Sequence, residues 1–302
     1  MMSPTVQFCN VLSRAFVGAF FREEYSPQAL RRNMNVLSGV PKKWLKRRSP
    51  ETKIESLDIA GMNAEIISTQ PNQKKILLFL HGGGYIMGSN RAFRRIAWEL
   101  SHLCDVRVMI IEYRLAPEHP HPAALEDAKK AYLYIRSQFP HSAVVIGGDS
   151  AGGGLALALT MALRDEKQIL PDQVFAICPW ADLVGLGDSL TKNQKTDFWL
   201  SKQLLQKWAA HYVGRGNPQE AYISPIFGDF AQFPPLLIFS GDQEILLSDA
   251  ERVYAIAKKA GVEAQLHIGK DMQHDWLLAF PFLAESRRAL KTLKHFLVSP
   301  AQ

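Results

Sequence analysis

The chain has 302 residues, of which 47% are hydrophobic and 21% charged, and this balance excludes a largely disordered protein. Its net charge of +6 is compatible with an anionic partner such as nucleic acid or a membrane surface. The three cysteines, Cys9, Cys104 and Cys178, are too few for a disulfide framework and lack metal-ligand spacing. We therefore expect a reducing, cytoplasmic location and no metal site.

The N-terminal residues 6–21 are apolar, but they match neither a secretory signal nor a membrane span. No Lys or Arg precedes the stretch, Arg14 interrupts it, and a span requires about 20 apolar residues. Its apolar residues recur at steps of three and four, which is typical of an amphipathic helix. We expect this helix to pack on the body of the protein; the alternative is a helix lying in a membrane interface.

From about residue 54 onward, apolar strand-like runs alternate with helical periods. The first two runs read as a hairpin around residues 61–63, and the later runs are rich in Val, Ile and Leu without alternation, as in strands buried on both faces of a parallel sheet. The predicted strands are 54–60, 64–69, 76–81, 106–113, 143–148, 174–180, 236–241 and 264–270. The predicted helices lie near 91–103, 122–138, 151–164, 248–260 and 283–297. This order predicts an α/β fold with a mostly parallel sheet flanked by helices.

Two stretches fall outside this alternation, residues 1–50 and about 182–215. Ligands of α/β sheets bind at the carboxyl ends of the strands. We therefore interpret both stretches as segments of a cap over that edge. The length alone would allow two domains, but large α/β folds also form single domains of this size.

A candidate nucleophile, Ser150, lies in the pentapeptide Gly148-Asp149-Ser150-Ala151-Gly152. The G-x-S-x-G pattern alone is weak, but here a predicted strand runs directly into it and strong helix formers follow. Such a tight turn requires small neighbours and lifts the serine oxygen to the start of a helix, where developing negative charge is favoured. The alternative is a glycine-rich turn with a helix-capping serine.

A glycine-rich loop, His81-Gly82-Gly83-Gly84-Tyr85, follows the strand predicted over 76–81. Consecutive glycines allow a close approach of backbone N–H groups to a ligand, as acyl transfer requires where a carbonyl oxygen becomes an anion. The sequence lacks both phosphate-loop patterns, G-x-x-x-x-G-K-[ST] and G-x-G-x-x-G. We predict an oxyanion hole formed by the amides of Gly83, Gly84 and Ala151, with His81 bracing the loop.

Four motifs together resemble the hormone-sensitive-lipase family of α/β-hydrolases, which includes the bacterial family IV carboxylesterases. They are HGGG at 81–84, YRLAPEHP at 113–120, PAALEDA at 122–128 and GDSAGG at 148–153, in the family's order. The resemblance covers about residues 75–280. It implies a single α/β-hydrolase domain over residues 1–302, a sheet of about eight strands, a helical cap from the N-terminal region and carboxylesterase activity.

The general base is expected after the last strand, because chains of this fold place the serine first, the acid second and the histidine last. Only His274 and His295 follow residue 270, and His295 lies within a helical run. His274 follows the last predicted strand by a few loop residues, where it can reach Ser150. We expect His267, which lies within that strand, to be structural.

Several carboxylates, including Asp242, Glu244 and Asp249, follow the strand predicted over 236–241. Either Asp or Glu can orient the histidine and stabilise its charged form. The resemblance favours Glu244. In the family, paired prolines open the strand and the acid follows it. When Pro234 and Pro235 are placed at those prolines, Glu244 falls at the acid position. The separation of 30 residues from His274 also resembles that of the family. Asp242 is the alternative.

These residues predict a serine esterase that requires no cofactor. The resemblance suggests short- to medium-chain acyl esters as substrates. A lactone hydrolase and a small-molecule deacetylase are alternative enzymes. A non-catalytic small-molecule receptor is an alternative of another class. Apolar residues of the cap and the catalytic loops would suit such a substrate: Phe16, Phe20, Phe21, Met34, Trp44, Phe198, Trp199, Leu200, Tyr85 and Trp276.

The basic runs at 42–48 and 91–95 have no interleaved aromatic pattern for stacking bases. We therefore expect no nucleic-acid binding, and at most weak contact of the basic N-terminal helices with an anionic membrane surface. A homodimer is compatible with the resemblance.

Overall fold

The computed structural model describes residues 5–6, 24–71 and 73–298. The helix predicted over 6–21 lies almost entirely outside these residues, as do Phe16, Phe20 and Phe21. Within the described ranges, none of the helices is both long enough and apolar enough to span a bilayer.

Eight strands form one sheet in the order β1-β2-β4-β3-β5-β6-β7-β8. Their bounds are β1 Lys53–Ile59, β2 Met62–Ser68, β3 Lys75–Leu80, β4 Arg107–Ile111, β5 Ala143–Asp149, β6 Gln173–Ile177, β7 Leu236–Gly241 and β8 Ala264–Gly269. β2 pairs antiparallel with β1 and β4, and the remaining neighbours are parallel. The predicted α/β fold with a mostly parallel sheet is confirmed.

Ten helices accompany this sheet in the described part of the chain. They are α1 Pro27–Ser38, α2 Lys42–Arg48, α3 Asn90–Cys104, α4 Ala123–Gln138, α5 Ala151–Asp165, α6 Ser189–Lys192, α7 Lys202–Val213, α8 Leu247–Lys259, α9 Trp276–Ala279 and α10 Ala284–Val298. The five predicted helices correspond to α3, α4, α5, α8 and α10.

The turn of the first hairpin lies earlier than predicted. Met62 and Asn63 already belong to β2, and Ile59 pairs with Met62, so the turn consists of Ala60 and Gly61 alone. Both turn residues have positive φ, 51° and 85°. Two-residue hairpin turns with positive φ match the twist of the flanking strands, which explains the tight connection.

The parallel strands are buried on both faces, as their continuous apolar sequences predict. In β3, Ile76, Leu78 and Leu80 pack into a core on one side of the sheet, whereas Leu77 and Phe79 pack into a second core on the other. Since side chains alternate between the faces of a strand, an unbroken apolar run requires an apolar layer on each side. The two cores hold rigid the strand ends from which the functional loops emerge.

The stretch between β6 and β7 contains α6 and α7, and α1 and α2 precede the sheet. The interpretation of residues 1–50 and 182–215 as cap segments of a single domain stays a prediction. The described parts of both segments contribute side chains to one cavity beside Ser150.

Candidate active site

Ser150 lies at a sharp turn between β5, which ends at Asp149, and α5, which begins at Ala151. Its φ of 54° and ψ of −123° form the unusual backbone expected of such a turn. A methyl group on Gly148 would lie 2.4 Å from the Gly152 carbonyl oxygen, and one on Gly152 would lie 2.0 Å from that of Leu80. Any larger residue at these positions would therefore push the turn apart.

The glycine loop follows β3 and lies against the same cavity as Ser150. Gly83 and Gly84 have φ values of 113° and 63°, and both line the cavity. The backbone amides of Gly83, Gly84 and Ala151 donate no hydrogen bond to any residue that the structure describes. Three unpaired donors near one serine form the arrangement that an oxyanion requires.

His81 braces this loop, as the sequence predicts. Its ring is stacked between Tyr113 and Phe93, with centroid distances of 4.1 and 5.1 Å, and its Nδ1 lies 2.9 Å from the Gly82 carbonyl oxygen. Burial lowers the pKa of His81 to about 4, so the ring is neutral. The Gly82 amide donates to Asp149 Oδ1 over 2.9 Å, which ties the loop to the residue before Ser150.

His274 follows β8 and its Nδ1 lies 2.6 Å from Glu244 Oε2. Both side chains are buried, Glu244 completely. Burial opposes ionisation of Glu244, but the hydrogen bonds from His274 and Ser240 outweigh it and hold the pKa of the carboxyl below its ordinary value. Glu244 is thus an ionised carboxylate that fixes the imidazole with its proton on Nδ1.

The alternative acid, Asp242, makes a different contact. Its carboxylate accepts from the Gln243 side chain over 2.9 Å and is partly exposed. His267 stacks on Phe239 at a centroid distance of 5.5 Å, and His295 lies in α10. Among the predicted candidates, Glu244 and His274 form the buried acid–histidine pair, and His274 lines the same cavity as Ser150.

A second carboxyl pair, which the sequence did not suggest, lies on the other side of the imidazole. Asp275 Oδ2 is 3.3 Å from His274 Nε2, and the buried Asp149 and Asp275 carboxyls are close enough to affect each other's ionisation. Burial and the neighbouring Asp275 raise the pKa of Asp149 well above its ordinary value, so Asp149 is the carboxyl of the pair that stays protonated. Burial works against protonation of His274, but the carboxylates of Asp275, Glu244 and Asp197 outweigh it and raise the pKa of the imidazole.

The substitution Asp275→Asn should move the acidic limb of the pH–rate profile to lower pH. A general base works only when neutral, so activity falls as the pH drops through the pKa of His274. Removing a nearby negative charge lowers that pKa, and we expect a shift of about one pH unit, equivalent to about 1.4 kcal/mol. The measurement is kcat/KM against pH for wild type, Asp275→Asn and the control Asp242→Asn. An unchanged limb in Asp275→Asn would contradict the role given to Asp275.

The cavity above Ser150 has a volume of about 180 Å³. Met34 of α1, together with Trp199, Leu200 and Trp208 of the stretch between β6 and β7, forms part of its wall. Of the other apolar residues that the sequence suggested, Tyr85 stacks on Tyr212 instead, and Trp44, Phe198 and Trp276 do not line the cavity. The sequence missed several wall residues that lie in α3, α7, α9 and the loop after the glycines: Met87, Phe93, Ile96, Trp208 and Leu278.

Two further contacts of the site were not expected from the sequence. The Cys178 sulfur lies within 4.8 Å of a Glu244 carboxylate oxygen and accepts from the Asp275 amide over 3.3 Å. Trp208 of α7 packs so closely on the glycine loop that a methyl group on Gly84 would lie 2.2 Å from its ring. For the carboxyl pair described above, the only signal in the sequence was position, because Asp149 directly adjoins Ser150 and Asp275 directly adjoins His274.

Comparison with known proteins identifies the family. Residues 77–278 match the model of the α/β-hydrolase fold family. A solved structure of an esterase from the bacterial hormone-sensitive lipase family is 34% identical, covers 100% of both chains and has a TM-score of 0.90. The chain belongs to the hormone-sensitive-lipase family of α/β-hydrolases.

Curated relatives of this hydrolase include an esterase and an acetyl-hydrolase. An esterase of Acinetobacter venetianus is 30% identical over 97% of this chain and 95% of the relative. An acetyl-hydrolase of Streptomyces hygroscopicus is 37% identical over 79% of this chain and 80% of the relative. The protein is therefore a carboxylic ester hydrolase, as predicted.

Proposed function

We propose that the protein is a serine carboxylesterase that hydrolyses short- to medium-chain esters through an acyl-enzyme, with Ser150, His274 and Glu244 as its catalytic triad. The observation that carries the proposal is the 2.6 Å contact between Glu244 and His274, beside the cavity that holds Ser150 and the glycine loop. A non-catalytic receptor would not require this buried, charged pair, which is costly to desolvate.

In the first step, His274 Nε2 accepts the proton of the Ser150 hydroxyl while its oxygen attacks the ester carbonyl carbon. The charge that develops on the carbonyl oxygen is stabilised by the amides of Gly83, Gly84 and Ala151. Glu244 keeps the other imidazole proton on Nδ1 and stabilises the imidazolium that forms. His274 then returns its proton to the departing alcohol as the carbon–oxygen bond breaks.

Water hydrolyses the acyl-enzyme by the same route. His274 removes a proton from the water, the resulting oxyanion occupies the same three amides, and the acid leaves as Ser150 regains its proton. Because the same groups serve both acylation and deacylation, the reaction needs no second base.

The cavity favours small acyl groups. Its volume of about 180 Å³ lies below the range of about 300–1,000 Å³ that is usual for drug-sized ligands, and its walls are mainly apolar. The similarity to an acetyl-hydrolase supports a second candidate function, removal of acetyl groups from a small molecule by the same triad.

A series of p-nitrophenyl esters tests the proposed substrate range. We expect kcat/KM to be highest between acetate and hexanoate and at least about tenfold lower for dodecanoate, because a chain longer than the cavity fits only by forcing its packed walls apart. Ser150→Ala serves as the blank, and acetylated alcohols in the same assay separate the deacetylase candidate. A maximum at dodecanoate would overturn the short-chain proposal.

We also propose that nucleic acid is not a partner. Lys42 and Arg94, from the two basic runs, both pair with Glu65, and Arg95 pairs with Glu99. These ion pairs engage three cations of the runs within the fold, which supports the interpretation of the runs as structural.

A further inference from the structure

Cys178 lies directly behind the proposed triad and has no part in the mechanism. It follows β6 with a φ of 48°, a left-handed backbone that is uncommon for residues other than glycine. Its sulfur, a Glu244 carboxylate oxygen and a ring nitrogen of His274 all lie within 4.8 Å of one another. All three side chains are buried, Cys178 and Glu244 completely.

The fold already brings these three ligand atoms close together. His274 Nδ1 lies 2.6 Å from a Glu244 carboxylate oxygen, and the Cys178 sulfur lies within 4.8 Å of the ligand atoms of both residues. A thiolate, a carboxylate and an imidazole form a ligand set that suits Zn²⁺ and the softer Cd²⁺. Tetrahedral ligands at about 2.0–2.3 Å from zinc lie about 3.3–3.7 Å apart. Side-chain movements of about an ångström would therefore form the site.

We propose that Cys178, Glu244 and His274 form an inhibitory site for a thiophilic divalent cation of the zinc group. The inference rests on the proposed function, because it requires His274 to act as the base. Neither pattern nor spacing in the sequence suggests this site, since the three residues are separated by 66 and 30 positions and meet only at the ends of β6, β7 and β8.

The proton balance explains why such a cation would inhibit. Cys178 releases its thiol proton to solvent, and the imidazole proton moves from Nδ1 to Nε2, so that Nδ1 is free to bind the cation. One proton is released in total, and the thiolate and carboxylate together balance the two charges of the cation. With Nε2 protonated, His274 has no lone pair with which to accept the proton of Ser150.

The chemistry of the site also determines which cations inhibit and how fast. Mg²⁺ prefers oxygen ligands and an octahedral shell, so it should not inhibit. The three ligands are buried and only His274 among them lines the substrate cavity, so a cation should reach the site slowly. Inhibition by Zn²⁺ should therefore increase during preincubation and be reversed by a chelator.

The first test compares Zn²⁺ inhibition in cysteine variants, each relative to its own rate without added cation. Wild type and the double variant Cys9→Ser/Cys104→Ser, in which Cys178 is the sole remaining cysteine, should be half-inhibited at the same Zn²⁺ concentration. Cys178→Ser should require at least about tenfold more, because a thiolate ligand is lost. Equal sensitivity of Cys178→Ser and wild type would overturn the proposal.

The second test does not depend on catalysis. Cd²⁺ added to Ser150→Ala should give the ultraviolet charge-transfer band of a cadmium thiolate, and the band should be absent from Ser150→Ala/Cys178→Ser. Lack of the band in Ser150→Ala would overturn the metal site whether or not the protein is a serine esterase. Conversely, metal-free ester hydrolysis by Ser150→Ala would refute the proposed function without affecting the band.

Discussion

Replacing Ser150 with Ala should lower kcat for p-nitrophenyl butyrate by about 10⁶-fold. Removal of the nucleophile of a serine hydrolase leaves only the weak catalysis of its oxyanion hole, which is about 10³–10⁴ above the uncatalysed rate in water. The fold should be unaffected, because Ala has a smaller side chain and the Ser150 backbone is held by its own bonds. Its amide donates to the Ile177 carbonyl, and its carbonyl accepts from Trp180 and Gly154.

The measurement is a steady-state assay of wild type, Ser150→Ala and the exposed-serine control Ser137→Ala. His274→Ala should lose a similar factor, and the double variant Ser150→Ala/His274→Ala should lose little more, because the two groups act as one unit. Full additivity of the two losses, or activity in Ser150→Ala within tenfold of the control, would mean that another group attacks the ester.

The substitution Glu244→Gln should lower kcat by about 10⁴-fold, the factor that a triad acid contributes by holding the histidine in the correct tautomer. A glutamine amide can donate to Nδ1 and so favour the proton on Nε2, the wrong nitrogen for a base. In Asp242→Asn we expect kcat within about threefold of wild type, because that carboxylate contacts Gln243 and is not paired with His274.

Both variants should also be compared by urea unfolding. Glu244 accepts hydrogen bonds from Ser240 and the Gly241 amide in addition to His274, so a loss of about 1–3 kcal/mol in the free energy of unfolding is expected for Glu244→Gln. A larger loss of kcat in Asp242→Asn than in Glu244→Gln would assign the acid role to Asp242.

The sheet could be predicted from sequence because its buried strands are unbroken apolar runs. The runs that became β3, β4 and β5 have apolar layers on both faces, so their composition alone marks them as central strands. The hairpin turn was placed too late because the positive φ of Ala60 is not recognisable from its residue type. Alanine rarely adopts that conformation, whereas the adjacent Gly61 does so readily.

The site was predictable only as far as its residues lie in local motifs. Ser150 and the glycine loop occur in short patterns with a physical reason for each residue, and family spacing supplied Glu244. The neighbours Asp275, Asp149 and Cys178 come together because β5 to β8 lie side by side with their carboxyl ends at one edge. Such contacts between distant segments are set by strand order, which residue spacing does not encode.

Helix α7 has a double function in this molecule. Trp208 lines the substrate cavity and packs against Gly84, while Tyr212 stacks on Tyr85 of the same loop at a centroid distance of 3.6 Å. The element that selects the acyl group therefore also supports the loop that stabilises the transition state. An engineer who grafts the corresponding helix from a relative to broaden selectivity would disturb turnover at the same time, and evolution of a new specificity here requires compensating changes around residues 82–85.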